Sequence, residues 1–250
     1  MSGHSKWAQI KRKKSVTDEK RGRMYSKLLR AIEVAAREGG GNVDGNMTLS
    51  SAVQKARDYS VPVDNIERAI KRGAGAGADA ARFEEVTYEG YGPGGVAILI
   101  EAMTDNRNRT GQEVRHTFSR LGGNLGDPGS VAWMFNRRGF IMVDQSVAPD
   151  EDGLMEIVLD AGAEDLRASG EQWEIVTPPE SLVAVRRALE EAAVPVVSAE
   201  LTMLPQSAVA VDRGKAESVL RLVEALEDLE DVQAVHSNFD IPEEILAEAG

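Results

Sequence analysis

Ten basic side chains fall between Ser2 and Arg30, Lys6, Lys11, Arg12, Lys13, Lys14 and Arg21 among them, and only Asp18 and Glu19 oppose them. The segment therefore carries +8 in a chain of formal net charge −12, which leaves −20 for residues 31–250. Charge segregated in this way suits a polyanionic partner, because each phosphate neutralised by Lys or Arg releases condensed counterions. Trp7 and Ile10 stand among the cations. An indole so placed can stack on a base or pack on a domain, whereas a purely solvated tail has no use for it. Lys6, Trp7, Lys11, Arg12, Lys13, Lys14 and Arg21 are thus the first candidate contacts to nucleic acid. A solvated run of like charges is the competing reading.

A second candidate lies in Thr104-Asp105-Asn106-Arg107-Asn108-Arg109-Thr110. Thr110 with Glu113 three residues later reads as a capping box, followed by the apolar stripe Val114, Phe118 and Leu121. Arg107 and Arg109, just ahead of that helix start, could grip a phosphate together with its backbone donors. Alternatively Asp105 and the asparagines satisfy the turn while the arginines pair with nearby acids. The cations Arg68, Lys71 and Arg72 end another predicted helix, where they complement its dipole. No predicted helix displays an array of Arg, Asn and Gln for reading bases, so only modest discrimination between DNA sequences is expected.

Catalytic chemistry finds little support. The chain has no cysteine, which removes disulfides, thiolate metal sites and cysteine nucleophiles, and its three histidines, His4, His116 and His236, are far apart in sequence. Gly90-Tyr91-Gly92-Pro93-Gly94-Gly95 matches the dinucleotide-binding string, but a β-rich run follows where the pyrophosphate needs a helix N-terminus. Asp150-Glu151-Asp152 suits the start of a helix, and Glu227-Asp228-Leu229-Glu230-Asp231 reads as a solvated face. A carboxylate- and metal-dependent phosphate hydrolase is the remaining enzymatic alternative. The expectation is a non-enzyme with no cofactor and no metal.

These candidates must be positioned by elements that the periodicity outlines. Met24, Leu28, Ala31, Ile32 and Ala35 stripe a helix over about 18–38, ended by Gly39-Gly40-Gly41; Leu49, Ala52, Val53 and Ala56 mark a second helix, and Ile66, Ala69 and Ile70 a third. Residues 73–81 combine Gly and Ala without an apolar anchor and read as a linker. Beyond it the period changes to strands, with Val86–Tyr91 and Val96–Thr104 joined by the glycine turn as a hairpin, and Val131–Phe135 and Gly139–Val143 also strand-like. From Gly139 to Leu204 the order is strand, helix, strand, strand, helix, strand, the split βαβ pattern of ferredoxin-like folds. The expected fold is α+β: an N-terminal three-helix domain (1–81), then two ferredoxin-like α/β domains. The third (137–204) is inserted into the second (82–136 plus 205–250), with strand Val196–Leu204 assignable to either. No apolar run approaches the ~20 residues of a membrane span and no signal-peptide segment follows the basic end, so a cytoplasmic protein without a membrane partner is expected.

The same blocks resemble the YebC family. They are Gly3-His4-Ser5-Lys6-Trp7, Gly39-Gly40-Gly41, Ile66-Glu67-Arg68-Ala69-Ile70-Lys71-Arg72-Gly73, Tyr88-Glu89-Gly90-Tyr91-Gly92-Pro93-Gly94-Gly95, the Thr104–Thr110 run and Gly129-Ser130-Val131. One departure is Asn42-Val43 and Asn46-Met47, where the family usually has Asp-Pro and Asn-Pro. The resemblance implies a helical N-terminal domain with two α/β domains and a role in gene expression. Members are described as DNA-binding transcriptional regulators, while mitochondrial relatives activate translation of cytochrome oxidase. The implied partner is DNA, with ribosomal RNA and a ribosome-associated translation factor as the alternative.

Overall fold

The structure, a computed structural model, describes residues 18–75 and 83–242. These residues form two compact units. The first takes in residues to Val34, Gly75–Asn136 and Pro205 onward, and the second Ala35–Ala74 and Arg137–Leu204. The Gly/Ala linker lies largely outside the described residues.

Helix α1 spans Asp18–Gly39, and its residues up to Val34 belong to the first unit. There β1 (Glu84–Tyr91) and β2 (Ala97–Thr104) pair antiparallel over their full length, from Glu84 opposite Thr104 to Tyr91 opposite Ala97. Gly94, at φ +81°, makes the turn between them possible. The glycine string thus closes a hairpin, as the β-rich run after it requires. Helix α4 (Arg107–Arg120) leads to the short β3 (Asn124–Leu125), and α7 (Arg213–Glu227) leads to β9 (Val232–Ser237). The sheet order is β3-β1-β2-β9, so β1 lies between β2 and β3 as in a split βαβ. Val114 and Phe118 of α4 and Leu222, Val223 and Leu226 of α7 share one core with Ile98 and Ile100 of β2. Each such aliphatic side chain contributes about 1.5–3 kcal/mol on burial. Gly90 lets Phe118 approach the sheet, since a Cβ there would lie 2.8 Å from its ring. A parallel pair, β8 (Val209–Ala210) with β10 (Phe239–Asp240), completes this unit.

In the second unit α2 (Met47–Asp58) and α3 (Val63–Ala74) bury Leu49, Val53, Ala56, Ile66 and Ala69 of the predicted stripes, with Ala52 and Ile70 half-buried. Asn46 holds the loop before α2: its Oδ1 accepts from the Leu49 amide at 3.1 Å, and its Nδ2 donates to the carbonyls of Ala35 at 2.8 Å and Gly40 at 2.9 Å. The asparagine thus fixes a loop in which proline is absent. Strands β4 (Phe135–Asp144), β5 (Asp165–Ser169), β6 (Gln172–Thr177) and β7 (Val196–Pro205), with helices α5 (Glu151–Asp160) and α6 (Leu182–Glu191), follow the predicted order. The sheet reads β5-β6-β4-β7, the ferredoxin-like arrangement, and β7 lies at its edge beside β4. Asp150 caps α5 by accepting from the Gly153 amide. Asp58 holds Arg186 with two hydrogen bonds, at 2.9 and 3.0 Å.

The residues Val131–Met134 depart from the strand expected there and form a 3-10 turn over Ala132–Met134. The cause is Glu89, described below, which takes the amides that a strand would need for its ladder.

Candidate nucleic-acid interface

Asp231 is the side chain around which the arginine-rich turn is built. A register shift between Glu101 and Ala102 of β2 against β9 sets the residue before β9 beside the end of β2, and the Met103 amide donates to the Asp231 carbonyl at 2.8 Å. The carboxylate is buried. Its Oδ2 accepts from Thr104 Oγ1 at 3.0 Å, Thr110 Oγ1 at 2.7 Å and Arg109 Nη2 at 2.8 Å, while Oδ1 accepts from Arg30 Nη1 at 2.9 Å. Burial pushes this carboxyl up, but the hydrogen bonds from Arg109, Thr110 and Thr104 outweigh it and hold the group below its ordinary value.

The same bonds decide where α4 starts. Asn106, not Thr110, is the N-cap, accepting from the Arg109 amide at 3.1 Å, and the helix begins at Arg107. The Thr110 hydroxyl is drawn inward to Asp231, so it cannot cap, and the predicted capping box is replaced by a cap one turn earlier. Arg109 Nη2 also reaches Asp105 Oδ1 at 2.9 Å. Arg107 is more open: its side chain is 66% exposed and stands 3.7 Å from Glu84.

The acidic run 227–231 is a solvated face only in part, since Asp228 and Glu230 are exposed while Asp231 is buried. It follows the C-terminus of α7, where the helix dipole adds to its negative charge, and α1 supplies the compensating cations. Lys27 donates to the Glu227 carbonyl, Arg23 lies 3.7 Å from Asp228, and Arg30 pairs with Glu230 and Asp231 at 2.9 Å each. The Arg30 guanidinium also sits 5.1 Å above the Phe83 ring. A cleft of about 260 Å³ opens here, lined by Arg30, Phe83, Asp105, Arg109, Glu230 and Asp231 together with Glu113. Among the described residues, no group of three His, Asp or Glu side chains is placed to hold a metal ion.

Glu89 on β1 is the second buried carboxylate of this unit. It accepts from the amides of Gly129, Val131 and Ala132, each at 2.7 Å, and its backbone carbonyl accepts from Gly126 at 2.8 Å. Burial raises its carboxyl, and the three amide donors more than reverse this, leaving it below the ordinary value. Tyr91 adds a hydrogen bond from its hydroxyl to the Ser130 carbonyl at 2.9 Å. The blocks Tyr88–Gly95 and Gly129–Val131 are therefore one structural device.

Of the sequence-derived candidates, Lys6, Trp7, Lys11, Arg12, Lys13 and Lys14 lie outside the described residues. Arg21 is exposed near the start of α1, and Arg107 and Arg109 open α4. Asp231, Thr104 and Glu89 escaped the sequence reading. Asp231 was hidden in an acidic run, and its partners Arg109 and Arg30 are 122 and 201 residues away.

A helical N-terminal region followed by sheet-containing α/β units, with buried carboxylates organising the motif-bearing loops, defines a mixed α/β protein of one recognisable layout. The chain belongs to the TACO1/YebC family. Residues 5–76 match the family's N-terminal domain and residues 83–239 its second and third domains. Relatives named probable transcriptional regulatory protein are 52% identical in Rubrobacter xylanophilus over 248 residues, spanning 99% of both chains, and 54% identical in Thermobifida fusca over 247 residues, again 99% of both. The crystal structure of a conserved hypothetical protein from Aquifex aeolicus is similar at a TM-score of 0.86 and 48% identity, covering 96% of this chain and 98% of that one.

Proposed function

We propose that this chain is a non-enzymatic, nucleic-acid-binding regulator of gene expression that acts on DNA in the cytoplasm. One observation carries the reading. Residues 2–21 hold seven basic side chains against two acidic ones in a chain of net charge −12. The names of the relatives support the regulatory role. In this reading Lys6, Lys11, Arg12, Lys13, Lys14 and Arg21 neutralise phosphates and Trp7 stacks on or beside the bases. Arg107 and Arg109 form a further contact at the start of α4, with Arg107 the freer of the two because Arg109 is shared with Asp231. The carboxylates of Asp228, Glu230 and Asp231 face arginines, which disfavours the hydrolase alternative. The test is a binding titration of the full chain against duplex DNA across a salt series. Strong, salt-dependent binding with no metal-dependent phosphate release is expected, and turnover of a phosphate ester would overturn the non-enzymatic part.

A second reading, a ribosome-associated translation factor, is favoured by the indole among the cations, since base stacking tolerates any sequence and suits unpaired ribosomal RNA. Co-sedimentation with ribosomal particles that is abolished by deletion of residues 1–21, alongside near-equal affinity for unrelated DNA sequences, would place this reading first.

A further inference from the structure

Helix α4 has a second face that the apolar stripe leaves unread. At 100° per residue, Thr110, Val114, Thr117 and Phe118 turn inward and are buried. The opposite arc carries Asn108, Gln112, Arg115, His116, Ser119 and Arg120, all exposed, together with Arg109, which Asp105 and Asp231 hold. Glu113, the one carboxylate of this helix, stands at the edge of the arc, where it lines the Asp231 cleft. In the same unit Arg23, Arg30, Arg107, Arg109 and Arg221 each reach a carboxylate. Among the described residues Arg115 and Arg120 pair with none. An acidic protein thus presents to solvent a helical row of Asn108, Gln112, Arg115 and Ser119 that carries no acid.

We infer that this face of α4 docks in the major groove of duplex DNA. The inference rests on the DNA reading above and assigns it a base-facing surface. Asn108, Gln112, Arg115 and Ser119 lie in one row at spacings of four, three and four, so their side chains follow the helix axis over about 16 Å at 1.5 Å per residue. The major groove of B-DNA is about 12 Å wide and admits a helix, whereas the deep, narrow groove of A-form RNA does not. Arginine matches the paired acceptors of guanine, and Asn and Gln match adenine. Arg120, at the flank of the arc, is placed for a phosphate. The array that periodicity alone did not reveal is therefore present, on a helix whose sequence advertises only its buried stripe.

Fluorescence anisotropy on the full chain tests this with a short random-sequence DNA duplex and an RNA duplex of equal length, each over a salt series. Arg115→Ala with Arg120→Ala should leave the thermal midpoint unchanged, weaken DNA binding at least tenfold at low salt, and reduce the log–log salt slope by about 0.9 for each phosphate that is no longer neutralised. Gln112→Ala should alter which duplexes are enriched from a random DNA pool, and Arg115→Gln serves as the milder variant should the double one fold poorly. If wild-type protein binds DNA and neither arginine variant changes affinity or slope, the α4 surface is wrong while the DNA reading stands. If wild-type protein binds no DNA, both fall. Equal binding of the RNA duplex, weakened to the same extent in the variants, overturns the groove assignment.

Discussion

Arg109 and Asp231, 122 residues apart in the chain, meet at 2.8 Å across the top of the first sheet, and Arg30 of α1 closes on the other oxygen of the same carboxylate. The acid is buried while Arg109 remains about half exposed, so the pair works mainly to satisfy Asp231. Removing the carboxylate takes away the acceptor that two guanidinium groups and two threonine hydroxyls share, and leaves Arg109 with Asp105 and Arg30 with Glu230. Asp231→Ala is expected to destabilise the protein by about 3 kcal/mol, at the lower end for a broken buried pair because water reaches Arg109. Urea denaturation read by circular dichroism checks this, and a destabilisation below about 0.5 kcal/mol would contradict it.

The depressed pKa of Asp231 fixes the sign of a pH effect. A carboxyl whose folded value lies below its unfolded value, about 3.9 for Asp, stabilises the fold above that unfolded value and loses the contribution as pH falls through the folded one. The stability gap between wild type and Asp231→Asn should therefore be widest near neutrality and shrink as the pH is lowered below about 4. Thermal melts across the acid range measure the gap. A gap that stays constant with pH would show that the carboxylate's charge is not what the pocket uses.

Arg107 and Arg109, two residues apart, should behave differently. Arg107 is exposed and its 3.7 Å approach to Glu84 is worth little, so Arg107→Ala should weaken DNA binding and leave the melting temperature within about a degree. Arg109→Ala should lower the melting temperature by several degrees through Asp231. Parallel melting and anisotropy measurements on the two variants decide the division. The opposite pattern, with Arg107 structural and Arg109 not, would refute the assignment.

Glu89 supplies two oxygens to three backbone amides, and a glutamine offers one oxygen and an amino group that faces donors. Glu89→Gln should therefore orphan at least one amide, at a cost of about 1–3 kcal/mol. The effect should be local. Amide hydrogen exchange over residues 126–135 is expected to accelerate more than exchange in the β1–β2 hairpin, and uniform acceleration would mean that Glu89 matters only to global stability.

What the sequence disclosed and what it concealed have physical causes. The buried stripes of α2, α3 and α4, the glycine hairpin and the βαββαβ order of residues 137–204 were readable because periodicity reports which face is apolar, and these elements bury one face each. Val131–Met134 looked like a strand for the same reason, yet Glu89, more than 40 residues upstream, claims its amides. Thr110 met the local rule for a cap and was diverted by Asp231. The acidic run appeared solvated because charge-pattern rules see neighbours in sequence, whereas its partners lie on α1 and α4. Polar hydrogen bonds over long separations leave no period to read, and they are what assemble this site.

The basic end is tested most directly by the salt dependence of DNA binding before and after removal of residues 1–21. If these residues neutralise phosphates, affinity in the full chain should fall steeply with salt, at roughly 0.9 log units per tenfold salt for each phosphate contacted, and the deletion should flatten that slope by several such contacts while the melting temperature is unchanged. An unchanged slope and affinity in the deleted protein would contradict the assignment of the basic end as the principal nucleic-acid contact.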